Sequence, residues 1–213
     1  MKDPAMLLPP LYRVSCLPNF LAGLLMTAGM QTAYANRVVQ ILDNEGKAVE
    51  NAVVSAEAAN GNHPVKAGSY TIEQKDRKFL PLVSVIPVGS AVSFPNNDTV
   101  KHHAYSFSAA KRFELKLYSG KPSSPVVFDT AGTVVIGCNI HDQMIAYIQV
   151  VNTPYFAKSD AKGLATLPAM PNGKYTLKVW HYKMAPGSEG IQQSWQADAE
   201  GAPYPIRLNG KFD

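Results

Sequence analysis

Gly137-Cys138-Asn139-Ile140-His141-Asp142-Gln143-Met144 is the stretch on which the reading of this chain turns. It lies between two short apolar runs, Thr133 to Gly137 and Ile145 to Val151. Two such runs joined by a compact polar segment read as neighbouring strands with a loop between them. Cys138, His141 and Met144, at spacings of three and three, therefore hang from one end of a sheet.

Working outward, the same pattern repeats. Arg37 to Leu42 reads as a strand, Asp43-Asn44-Glu45-Gly46 as a turn, and Ala52 to Ala56 as the next strand. Tyr70 to Ile72 and Leu82 to Ile86 read as strands around a charged stretch from Glu73 to Lys78, and Ala91 to Phe94 follows a turn at Pro87-Val88-Gly89-Ser90. The polar loop from Pro95 to Lys101 delivers His102 and His103 to a strand over Ala104 to Ser108, in which Tyr105 and Phe107 are expected to face the core. Phe113, Leu115 and Leu117 alternate with Glu114, Lys116 and Tyr118, the two-residue period of a half-buried strand. Leu164 to Leu167 and Tyr175 to Tyr182 continue the series, and the Pro- and Gly-rich end reads as an edge strand or a loose tail. Short runs at regular spacing with no long helical period predict an all-β sandwich.

The first 35 residues read as a targeting segment. Lys2 and Arg13 give a basic start, Phe20 to Met26 opens an apolar run, and Ala33-Tyr34-Ala35 has the small-x-small form of a cleavage site. Roughly 20 apolar residues are needed to cross a bilayer, and this run is shorter and interrupted by Gly. Of the two cysteines, Cys16 leaves with that segment, so the exported chain keeps Cys138 alone. In an oxidising compartment a lone Cys is a buried apolar group, a reactive thiol or a metal ligand, not an internal crosslink. The net charge of +4 comes from scattered residues without basic runs, which excludes a nucleic-acid footprint.

One thiol, one thioether and two imidazoles, the second from His102 or His103 on a different strand, form a donor set suited to a single copper ion. Thiolate and thioether are soft, imidazole is intermediate, and a trigonal set of two nitrogens and one sulfur with a weak axial sulfur accepts both copper oxidation states. Zinc fits the Cys and His residues but has little use for Met. A Cys-His nucleophilic pair would need an oxyanion-binding motif that the sequence does not display. His63 and His181 read as surface or packing residues.

The residues also carry a resemblance. Phe128-Asp129-Thr130-Ala131-Gly132-Thr133, followed by Cys138, His141 and Met144, resembles the strand, turn and ligand loop of the cupredoxin (type 1 blue copper) family, with amicyanin-like spacing. Phe94 to His102 is similar to that family's upstream loop, and Gln74 to Val151 is covered. With Thr153-Pro154-Tyr155-Phe156 and Val179-Trp180-His181, the chain looks like the plastocyanin-like proteins labelled methylamine utilisation proteins.

The resemblance implies a Greek-key β-sandwich with extra strands from both flanks. The chain then divides into a signal peptide over 1–35, a cupredoxin domain over 36–152, and a β extension or accessory sandwich over 153–213, with pairing to 37–56 as an option because Asp43 to Val54 and Ser159 to Trp180 each look like parts of a small β-sandwich accessory module. It implies His102, Cys138 and His141 as equatorial ligands and Met144 as axial ligand of one type 1 copper per chain. The family places Asn after its first His, where this chain has His103. Loop length from Asn96 favours His102 as the ligand, whereas alternation with inward Tyr105 and Phe107 favours His103 unless a bulge intervenes. The Asn139 backbone N–H is expected to tune the thiolate, and Asp98 to order the upstream loop. The implied function is a periplasmic one-electron carrier, not an enzyme. It would work between redox proteins such as a dehydrogenase, cytochrome or oxidase, without nucleic acid or stable membrane insertion. The alternative is a copper-holding or delivery protein with a partner-binding β segment.

Overall fold

The hairpin formed by Gly132–Gly137 and Ile145–Val151 is the centre of a five-stranded mixed sheet, and it holds the Cys138 to Met144 loop at its end. The computed structural model describes residues 34–60, 63–122, 124–198 and 201–212, which form seventeen strands and no helix. The proposed targeting segment lies outside the described residues except for its last two positions, which open a strand. No helix among the described residues is long and apolar enough to cross a membrane.

In the five-stranded sheet Val83–Pro87 runs parallel to Ile145–Val151, and His102–Ser108 flanks the hairpin's other side with Lys111–Tyr118 at the edge. Gly137 pairs with Tyr105, which brings the upstream histidine strand beside the residue preceding Cys138. A second sheet of Val126–Phe128, Ser90–Ser93 and Ser69–Thr71 belongs to the same half of the molecule. The core here is built by two-residue alternation: Val134 and Ile136 are fully buried while Val135 between them is 38% exposed. Phe94, Phe128, Ile148 and Val150 join them, and each such side chain contributes roughly 1.5–3 kcal/mol by leaving water. Cys138 and Met144 belong to this cluster.

A separate core gathers Val39, Ile41 and Val54 from the N-terminal flank with Leu167, Leu177 and Val179 from the C-terminal flank. Tyr34–Leu42 pairs antiparallel with Leu164–Pro171 and parallel with Tyr204–Arg207. Val53–Ala58 pairs with Phe156–Lys158 and Gly173–Trp180, and Ile191–Ala197 completes that sheet. The flanks thus pair with each other rather than extending the site-bearing sheet. The two halves meet through Val53, Val83 and Trp180, with Tyr147 and Tyr182 packed against them.

Two expectations need correcting and a third is narrowed. The charged stretch after Ile72 is a hairpin, Glu73–Lys75 with Lys78–Leu80, because Gln74 and Phe79 point inward while the charges point out. For the C-terminal stretch the edge-strand alternative holds, and twice over: Ile191–Ala197 and Tyr204–Arg207 each lie at a sheet edge, and in the first, outward Gln and Ser residues mask the buried Trp195 and Ala197. Tyr105 and Phe107 face outward: Phe107 is 78% exposed, and the rings of His103, Tyr105 and Phe107 follow one another, tilted, along the open face at 5.4 and 5.1 Å.

Candidate metal centre

The site starts from the loop that closes the central hairpin. The Met144 N–H donates to the His141 carbonyl at 2.9 Å, a turn that folds the segment back so that its first and last side chains both enter the core. Cys138 is 4% exposed and carries a free thiol, and Met144 is 1% exposed. His141 stays half-buried at the molecular edge, with Nδ1 3.9 Å from the Cys138 sulfur.

His102 enters from the neighbouring strand. Its side chain is fully buried, and its ring centroid lies 5.0 Å from that of His141 at an interplanar angle of 64°. One ligand atom from each of His102, Cys138 and His141 falls within 4.8 Å of the others, which makes this a metal-competent group among the described residues. His103 points the other way, with Nε2 3.0 Å from Glu114 Oε1 and its ring against Tyr105. The inward set is His102, Ala104 and Ser106, so the parity that seemed to favour His103 runs the opposite way once Tyr105 and Phe107 face solvent. A register shift between His102 and Ala104 is present as well, but parity does not need it.

Asp98 organises the upstream histidine. Its Oδ2 lies 2.9 Å from His102 Nε2 and accepts the Arg77 backbone N–H at 2.8 Å, while Oδ1 accepts the Thr99 N–H at 2.9 Å. The hydrogen bond with His102, then that from Arg77, hold the Asp98 carboxyl down at about 2. A carboxylate can only accept, so the neutral imidazole of His102 that makes this contact carries its proton on Nε2 and its lone pair on Nδ1. That Nδ1 is buried and has no hydrogen-bond partner. An orphaned buried acceptor costs about 1–3 kcal/mol, and a Lewis acid beside it removes that cost. His103 Nδ1 is also buried and unpartnered, but no thiol or second imidazole joins it in a ligand cluster.

Behind the site, burial pushes the Tyr118 hydroxyl up to about 12, against the lowering effect of the Gln74 hydrogen bond and helped by the Cys138 sulfur. Tyr118 therefore stays protonated and donates to the Phe94 carbonyl at 2.6 Å, with Gln74 donating to it. The donor types fit copper: one thiol and two imidazoles in reach of each other, and a buried thioether at the end of the same loop. Of the residues singled out from sequence, His102, Cys138 and His141 come together, Met144 shares their core, and His103 stands apart. Asp98 does order its loop, but its contact with His102 went unread; the spacing Asp-x-x-x-His was the available signal.

No family model matches the sequence, and no curated protein does. Among solved structures, the chain is similar to a purple cupredoxin from Nitrosopumilus maritimus, at 22% identity over 38% of this chain and 99% of that one, with a TM-score of 0.35. It is similar to a copper-containing nitrite reductase from Thermus scotoductus SA-01 at 24% identity over 45% of this chain and 25% of that one, with a TM-score of 0.37. A reduced amicyanin variant matches at 19% identity over 46% of this chain and 99% of that one, with a TM-score of 0.34. Likenesses this partial decide nothing about function; the donor set carries it.

Proposed function

We propose that this chain is a one-electron carrier built on a single copper ion held by His102, Cys138, His141 and Met144. The observation that carries the reading is the meeting of a buried thiol with two imidazoles from separate strands, one with its free Nδ1 already desolvated. Bound copper would supply the Cu(I)/Cu(II) couple. The chain's own contribution is to fix the donors: Asp98 sets the His102 tautomer, the sheet pairing of Gly137 with Tyr105 sets its distance from the loop, and core packing holds Met144. Four protein donors leave no open position for a substrate, so the role is transfer and not catalysis. Half-buried His141, beside Ile140 at 48% exposure, is the proposed edge for exchange with redox proteins.

Export to a periplasm is proposed from residues 1–35 and from the single remaining cysteine. The domain reading is a copper domain over 36–152 and an extension over 153–213 whose core also recruits 37–56. Membership of the plastocyanin-like methylamine utilisation proteins is supported by the tail motifs that build this second core.

The test is a Cu(II) titration of the purified chain, followed by optical and EPR spectra. The expected result is one equivalent bound, with intense absorption toward the red end of the visible range that is lost in Cys138→Ser. A colourless protein with a reactive thiol refutes the proposal. Loss of metal to a Cu(I) chelator on each reduction would point instead to copper delivery.

A further inference from the structure

Two consecutive non-glycine residues, Asp76 and Arg77, sit in the left-handed region at φ 51° and 55°. They form the tip of the hairpin Glu73–Lys75 with Lys78–Leu80, in the turn geometry that normally selects Asn-Gly. Asp tolerates that region but Arg does not, and strain of this kind at Arg77 persists where surrounding contacts demand it. Here the contact is visible. The turn aims the Arg77 N–H at Asp98 Oδ2, the same oxygen that meets His102 Nε2. The hairpin is further stitched to the upstream loop by Gln74 N–H to the Pro95 carbonyl, Asn97 N–H to the Gln74 carbonyl, and Asn97 Nδ2 to Glu73 Oε1.

We infer that the Glu73–Leu80 hairpin is an outer brace for the metal site: its strained turn locks the Asp98 carboxylate in the one orientation that keeps the proton of His102 on Nε2 and its Nδ1 free. Asp98 and Arg77 are positioning residues, since neither touches the proposed ion. The carboxylate has two oxygens and the loop around it is exposed, so without the Arg77 N–H it can rotate or swing to solvent. His102 would then sample both tautomers, and one of them places a proton where the ligand lone pair must be. Partners of this kind on a ligating histidine fix ring orientation and are worth about 10- to 100-fold in metal affinity.

The inference rests on the copper reading only for its second arm. In the first arm, the metal-free chain is labelled with 15N-histidine and the His102 tautomer is read from long-range proton–nitrogen correlations. The native chain should show a single Nε2–H form. Asp98→Ala should give a mixture, and replacing Asp76 and Arg77 by a flexible Gly-Ser-Gly-Ser segment should shift the tautomer in the same direction by less. Combined with Asp98→Ala, the loop replacement should add nothing. Arg77→Gly relieves the strain but keeps the N–H, so it should leave the tautomer unchanged.

In the second arm, copper affinity should fall about 10- to 100-fold in Asp98→Ala and less in the loop replacement, with a shifted reduction potential in both. Asp98→Leu, which is close in size and cannot accept a hydrogen bond, is the variant to use if Asp98→Ala does not fold. A loop replacement that leaves both tautomer and potential native while an Asp98 variant shifts them overturns the brace. An unchanged tautomer in the Asp98 variants overturns the whole inference. A native tautomer response in a chain that never binds copper sinks the carrier reading instead.

Discussion

His102 and His103 are adjacent, chemically identical and both nearly inaccessible, yet replacing each with alanine should have opposite consequences. His103 faces outward onto Glu114, whose side chain is 56% exposed, so water screens that pair and it is worth only about 0.5 kcal/mol. Adding the ring contact with Tyr105, at about 0.5–1.5 kcal/mol, gives a total of about 1–2 kcal/mol for His103→Ala. With a urea m-value of about 2 kcal/mol/M, the midpoint should drop by about 0.5–1 M, with the copper spectrum unaltered. His102→Ala removes a fully buried donor from the cluster. Since losing an outer partner of a ligand alone costs about 10- to 100-fold in affinity, losing the ligand should cost more than that and abolish the visible band. The assay is a Cu(II) titration beside a urea curve for each variant. A band that survives in His102→Ala and vanishes in His103→Ala would refute the assignment of facing directions and the site built on it.

Three further outcomes follow from the geometry. Burial, chiefly, pushes the His181 pKa below its ordinary value, so the fold holds it neutral while the unfolded chain takes up a proton near pH 6.5. Its stability contribution is complete above that pH and declines on acidification, by at most about 1.4 kcal/mol per pH unit, and His181→Gln should flatten that part of a urea-stability profile. Gly163→Ala should cost about 2 kcal/mol or more, read as a lowered thermal midpoint, because φ is +73° and the added carbon would stand 2.4 Å from the Ile41 carbonyl oxygen. Trp180→Ala should cost about 3–5 kcal/mol in chemical denaturation, since this ring packs on Tyr147 and joins the two halves, while the copper spectrum stays native.

The ligand loop was legible because its information is local. Cys138, His141 and Met144 lie within a stretch of seven residues, and the alternation of Val134 with Ile136 and of Ala146 with Ile148 names the buried face directly. The pairing of Tyr34–Leu42 with Leu164–Pro171 was legible only as an option, since alternation identifies a face but not the strand that covers it more than a hundred residues away. Tyr105 and Phe107 misled for a related reason. An aromatic residue on a strand is ordinarily assigned to the core, and only the position of the second half shows what is left open. That half covers Tyr147 but leaves the strand carrying Phe107 to solvent.

The error over Tyr105 and Phe107 matters because it inverted the one inference on which the choice of histidine depended. A strand has two faces, and a wrong assignment at two positions moves every other side chain on it to the wrong side. Asp98 could have settled the question independently. A carboxylate placed four residues before a histidine, on the loop that enters the site, has a direct use if that histidine must present one bare nitrogen, and no comparable partner precedes His103 at that spacing, where Thr99 stands. Parity along a strand is a weak signal when the outer face is half covered, and the partner of the ligand is then the better guide to which residue is the ligand.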